Sequence, residues 1–131
     1  PELCDAAPER VVAAMAQTLA DERGRWLLGL SSSLSEAESE LALSGVFDGE
    51  IVSGVIDRTF VDEHGVRWIV DFKTGSHEGG GLEQFLADEV RRYRDQLQRY
   101  ARLMKLFRPD QPVRAALYFP LMKHWREVPV G

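Results

Sequence analysis

Three features of this sequence together predict a layered α/β domain: apolar residues at helical spacing near its start, β-branched segments separated by turn residues in its middle, and a long amphipathic stretch followed by one more short apolar run. From Pro8 to Leu28 the apolar positions Val11, Val12, Met15, Leu19, Trp26 and Leu27 predict one amphipathic helix, with Gly24 near a ragged end. Ser31 to Ser39 is a polar, serine-rich connector, and Leu41 to Phe47 is extended up to a tight turn at Asp48-Gly49. Ile51 to Val61 is rich in β-branched residues, Glu63-His64-Gly65 turns the chain, and Val66 to Lys73 is another strand ending at Thr74-Gly75. Three sequential antiparallel strands follow from this. Ser76 to Gly81, with Gly79-Gly80-Gly81, is a polar loop beside the end of the third strand. The period then changes: Phe85, Leu86, Val90, Tyr93, Leu97, Tyr100, Ala101 and Met104 form a helical stripe from Leu82 to Phe107, which Arg108-Pro109 ends. Val113 to Phe119 is a short strand, and no element is predicted from there to Gly131.

The 131 residues suit a single domain with one modest core. A hydrophobic content of 44% and a charged content of 28% exclude a disordered chain, and no apolar run reaches transmembrane length. Cys4 is the only cysteine, so no disulfide forms within the chain, and a reducing cytoplasmic setting is expected without membrane contact. The net charge of -5 argues at first against a polyanionic partner. Its distribution does not: Arg91, Arg92, Arg94, Arg99, Arg102, Lys105 and Arg108 crowd one stretch, opposed there only by Asp95. On charge alone that run reads as a solvated helix face. The start at Pro1, almost directly before a helix, suggests a piece of something longer.

The chemistry concentrates in three pieces: Gly54-Val55-Ile56-Asp57-Arg58, Ile69-Val70-Asp71-Phe72-Lys73, and Gln96-Leu97-Gln98-Arg99-Tyr100. Side chains alternate faces along a strand, so Asp71 and Lys73 share a face while Phe72 points the other way into the core. Asp57, on the preceding strand, reaches the same end. Two carboxylates about 4 Å apart repel by on the order of 4 kcal/mol at an intermediate effective dielectric. Magnesium would offset that repulsion, being content with one or two carboxylates plus carbonyl, water or phosphate oxygens. Lys73 would activate the attacking water or stabilise charge growing on a phosphate. Gln96 and Tyr100, at i and i+4, share a helix face and offer hydrogen-bonding groups to a phosphate or to Lys73. An Asp-x-Lys triplet alone means little, since such clusters are more often surface ion pairs. The ordered combination is far more specific.

That combination resembles the RecB-type nuclease pattern of the PD-(D/E)xK superfamily, in which G-x-x-D lies on one strand, D-x-K on the next and Q-x-x-x-Y on the following helix. The likeness covers about Glu40 to Leu103, and "GVIDRTFVDEHGVRWIVDFKTG" with "YRDQLQRYARLM" looks like the nuclease domain at the C-terminus of UvrD/Rep-type helicases, including AddA- and RecB-like subunits. The resemblance implies a restriction-endonuclease-like core, a mixed central sheet flanked by helices. It implies a Mg²⁺- or Mn²⁺-dependent, exonuclease-like deoxyribonuclease that acts on DNA in repair and recombination beside helicase domains of the same parent chain or complex. Carried over by position, Asp57, Asp71 and the Phe72 backbone carbonyl would be metal ligands, with Glu40 a further candidate. Lys73 would be the catalytic lysine, and Gln96 and Tyr100 the supporting helix pair.

One departure stands out. The family's upstream helical histidine is missing, because the first histidine here is His64, in a turn, and the next is His77, in the glycine loop. Either this histidine lies on sequence preceding Pro1, which is the expectation, or this branch does without it. A second reading stays open beside the nuclease, a noncatalytic module that binds DNA or braces a helicase with the same fold. Other chemistries are excluded: the glycine run lacks the Lys-Ser/Thr of a phosphate-binding loop, no zinc spacing exists, and no serine among Ser31 to Ser33 sits in a nucleophile elbow. Trp26, Trp68 and Trp125 are expected to pack in or around the core rather than stack on bases.

Overall fold

A computed structural model describes residues 8–31, 34–77 and 79–131. Cys4 lies outside the described residues. The elements are α1 (Pro8–Ala20), α2 (Glu22–Leu27), β1 (Ser35–Phe47), β2 (Glu50–Val61), β3 (Arg67–Phe72), α3 (Leu82–Phe107), β4 (Val113–Phe119) and β5 (His124–Val128). They build a mixed five-stranded sheet in the order β1-β2-β3-β4-β5. β1, β2 and β3 form an antiparallel meander, β3 and β4 run parallel with α3 as their crossover, and β5 returns antiparallel to β4. This is the restriction-endonuclease-like α/β arrangement that the resemblance implied.

The meander is set by local chemistry. Asp48 and Gly49 both adopt positive φ, 50° and 81°, which is the backbone of the two-residue hairpin turn that matches the twist of its strands. At the next turn the Asp62 carboxylate accepts the N–H groups of His64 and Val66, and Gly65 takes φ 78°. β3 is buried along nearly its whole length, as a central strand covered on both faces must be. Beneath α3, Ile56, Ile69, Leu97, Ala101, Met104, Ala115 and Leu117 form one core. On the opposite face Leu27, Phe60, Trp68, Val70 and Tyr118 form another, flanked by Trp26, Phe72 and Trp125. The three tryptophans, far apart in sequence, meet there edge to face at ring separations of 5.3 to 6.0 Å, so packing is what they do.

The structure departs from the sequence reading at three places. The first helix is two, broken at Asp21, whose extended backbone caps α2 and whose carboxylate accepts the Tyr118 hydroxyl at 2.5 Å. α2 thereby turns onto the sheet so tightly that a Cβ on Gly24 would lie 2.1 Å from the Thr18 carbonyl oxygen. As a result Ala14 and Thr18 are buried in α1, whereas Val12, Met15 and Leu19 of the supposed apolar stripe are exposed. Second, β1 begins at Ser35, inside the expected connector. Ion pairs rather than apolar alternation hold its start: Glu36 takes the guanidinium of buried Arg67 at 2.8 Å and that of Arg108 at 3.2 Å. Third, β5 was not predicted. Its pairing with β4 and the packing of Trp125 into the aromatic cluster define it, and both are long-range.

Candidate active site

β2 and β3 pair from Val61↔Arg67 to Arg58↔Val70 and then part, while β3 stays paired with β4 as far as Phe72↔Tyr118. A fork opens between β2 and β3. Asp57 fills its mouth: Oδ2 accepts the Phe72 N–H at 2.9 Å, taking the place of the next backbone acceptor in the ladder. The N–H and C=O of one strand residue point to the same side, so the Phe72 carbonyl also faces the fork, while its ring packs edge-on against Tyr118 on the far face. Strand β2 changes phase here. Ile56 belongs to the core beneath α3 and Phe60 to the opposite core, although unbroken alternation would put these two on one face. The irregularity is shared by β1, whose pairing runs Ser39↔Arg58 and then Leu41↔Ile56, stepping over Glu40 and Asp57. Glu40 itself has φ 52°, an uncommon conformation for a residue with a side chain. Ile56 and Asp57 are consequently buried in succession.

Asp57 and Asp71 are 6% and 7% exposed, and their carboxyls are close enough to hydrogen-bond. Burial first, and then the neighbouring Asp71 carboxyl, pushes Asp57 up to about 8, with the Phe72 N–H working in the opposite direction. Lys73 is buried beside them, its Nζ 2.8 Å from Asp71 Oδ2. That close ion contact is not aligned as a hydrogen bond, and Asp71 Oδ2 is a buried oxygen without a hydrogen-bond partner among the described residues. Two buried carboxyls and a carbonyl facing the same fork are a donor set of hard oxygens that suits a divalent cation.

α3 closes the site from above. Tyr100 is buried with its ring against Gly54, so that a Cβ there would lie 2.2 Å from Tyr100 Cε1. This explains the glycine three residues before Asp57. Gln96 Nε2 donates to the Tyr100 hydroxyl at 2.8 Å, so the predicted pair is bonded within itself. The ring that meets Lys73 belongs to Tyr93, with Nζ 3.5 Å from its centroid. Tyr93 had been read only as one residue of the apolar stripe; its spacing from Gln96 and Tyr100, i, i+3 and i+7, was the available signal. Also unforeseen is Arg10 of α1, which donates to the Thr74 carbonyl at 2.5 Å and ties the chain just beyond Lys73.

Glu40 is at the level of Asp57 in the register but exposed, and among the described residues no group of three His, Cys, Asp or Glu side chains is arranged to hold a metal. His64 is exposed at its turn, and His77 stacks on Phe85 at 4.9 Å and bonds the Gly80 carbonyl, so neither completes the acidic pair.

A mixed sheet that splays beside its central strand, with two buried acids and a lysine in the splay and a crossover helix over them, is the frame of a restriction-endonuclease-like protein. The family model of the PD-(D/E)XK nuclease superfamily matches residues 3–128, and the chain belongs to that superfamily, whose members generally use divalent metal ions. No curated protein matches the chain.

Proposed function

We propose that this domain is a metal-dependent deoxyribonuclease of the RecB type, hydrolysing phosphodiester bonds as part of a helicase-nuclease in DNA repair or recombination. The observation that carries the reading is the buried Asp57–Asp71 pair in ion contact with Lys73. Nothing in a merely structural role calls for two acids and a lysine to be buried together, because such a cluster is costly unless something binds it. Asp57, Asp71 and the Phe72 carbonyl would hold Mg²⁺ or Mn²⁺, with Glu40 a further candidate. When bound, the metal supplies Lewis-acid polarisation of a phosphate oxygen and charge neutralisation. Lys73 holds a positive charge beside the same fork, where it steadies the negative charge that develops on the phosphate. Gln96 and Tyr100 act through position: their mutual hydrogen bond and the seat of Tyr100 on Gly54 fix α3 over Asp57. Exposed basic residues of α3, among them Arg94, Arg99 and Lys105, offer the DNA backbone a cationic approach in a chain whose net charge is -5.

The absence of a third ligating side chain among the described residues favours a second reading, a noncatalytic DNA-binding or bracing module. Calorimetric titration with Mg²⁺ and with Mn²⁺, in the presence of a short DNA, separates the two. Metal uptake by the wild-type chain that disappears in Asp71→Ala supports the nuclease, and no uptake even with DNA present supports the module.

A further inference from the structure

Lys73 follows directly on β3, and its ammonium group touches the Asp71 carboxylate at 2.8 Å and the face of the Tyr93 ring at 3.5 Å from the centroid. The two contacts differ in what can disturb them. A divalent cation on Asp71 competes with Lys73 for that carboxylate, whereas the attraction between an ammonium and a ring face does not involve it. Cation–π attraction operates within about 6 Å of the centroid and strengthens when the cation is desolvated. Lys73 is only 6% exposed, so the condition is met. A lysine side chain carries several rotatable bonds and a compact charge, so a contact that a cation on Asp71 leaves untouched helps to keep the ammonium in place. Tyr93 is itself fixed, packed against the core beneath α3 on the same stripe as Gln96 and Tyr100. The Arg92 guanidinium also lies 5.3 Å from this ring, but Arg92 is exposed and adjacent in sequence.

We infer that Tyr93 is a positioning residue that holds the Lys73 ammonium beside the Asp57–Asp71 pair through the face of its ring. The inference rests on the nuclease reading for its catalytic consequence, but not for the contact itself. The ring rather than the hydroxyl does the holding, so Tyr93→Phe preserves the function and Tyr93→Leu, which fills space without a π face, does not.

The test combines cleavage kinetics with the NMR signal of the Lys73 ε-methylene. In the wild-type chain and in Tyr93→Phe that signal is shifted upfield by the ring, and kcat with metal is the same to within about twofold, less than 0.5 kcal/mol by the rate relation. In Tyr93→Leu the shift vanishes and kcat falls about tenfold, equivalent to about 1.4 kcal/mol, with KM little changed. Should leucine unfold the chain, phenylalanines of increasing ring fluorination at position 93 keep the volume while draining charge from the face, and kcat falls with each step. An unshifted Lys73 signal in the wild type, a flat fluorination series, or Tyr93→Leu cleaving as the wild type does while Lys73→Ala is inactive would each overturn the inference. A wild-type chain that cleaves no DNA overturns the nuclease reading instead, and the Lys73 signal then judges the contact alone.

Discussion

Gly54 carries no side chain, and the ring of Tyr100 occupies the space one would need. Replacing it with alanine forces a methyl group into a closed contact between β2 and α3. Gly54→Ala should destabilise the chain by about 1 to 3 kcal/mol, the usual cost of overpacking, and urea denaturation measures it. Tyr100→Phe keeps the ring on the glycine and loses only the bond from Gln96, so about 1 kcal/mol is expected there. Asp57 supplies a second prediction at this scale. Its folded-state value, pushed up to about 8, lies above the ordinary carboxylate value of 3.8, so the folded chain retains a proton that the unfolded chain has given up. This contribution to stability is complete below about pH 4 and is lost as pH rises from there through about 8. Thermal melts in EDTA across that range should fall for the wild type and fall less for Asp57→Asn, and a divalent metal should restore more stability at pH 8 than at pH 6. Equal pH dependence in the two chains would contradict the burial of Asp57 against Asp71.

Among the elements, β1 illustrates what a sequence pattern conceals. Its outer half, Leu41 to Phe47, alternates and is legible; its first residues, Ser35 to Ser39, are exposed and mostly polar and read as a connector. They pair because Arg67, 3% exposed at the head of β3, donates to the Glu36 carboxylate and carbonyl and to Gln111, gathering β1, β3 and the turn before β4. Arg67→Ala removes this tie. It should destabilise the chain by about 2 to 3 kcal/mol, the range for leaving hydrogen-bonded partners of a buried charge unsatisfied, and hydrogen exchange should quicken in Ser35 to Ser39 before it does in β3. α1 and α2 were misread for the opposite reason. A continuous apolar periodicity gave one helix, but the pull of Asp21 toward the Tyr118 hydroxyl and the absence of a Cβ at Gly24 divide it. α3, by contrast, spans Leu82 to Phe107 as its stripe predicts, because a 26-residue amphipathic period leaves no competing fold.

At the scale of the molecule, the layered order of helix, meander, long helix and strand was readable because turn residues punctuate it at Asp48-Gly49 and Glu63-His64-Gly65. So was the convergence of Asp57, Asp71 and Lys73, since strand alternation alone puts the last two on one face. What the sequence withheld is three-dimensional: the fork between β2 and β3, the change of phase at Asp57, the approach of Tyr93 to Lys73, and the gathering of three tryptophans. None of these has a local signature. Among the described residues no helix is long and apolar enough to cross a membrane, in keeping with a sheet covered on both faces by amphipathic elements.

The most direct measurement is cleavage of end-labelled linear single- and double-stranded DNA by this chain in Mg²⁺, Mn²⁺ and EDTA, beside Asp71→Ala and Lys73→Ala variants whose melting shows them folded. Cleavage by the wild type that needs metal and is lost in both variants is the expected result. Full metal-dependent activity in either variant would contradict the assignment of the site to Asp57, Asp71 and Lys73.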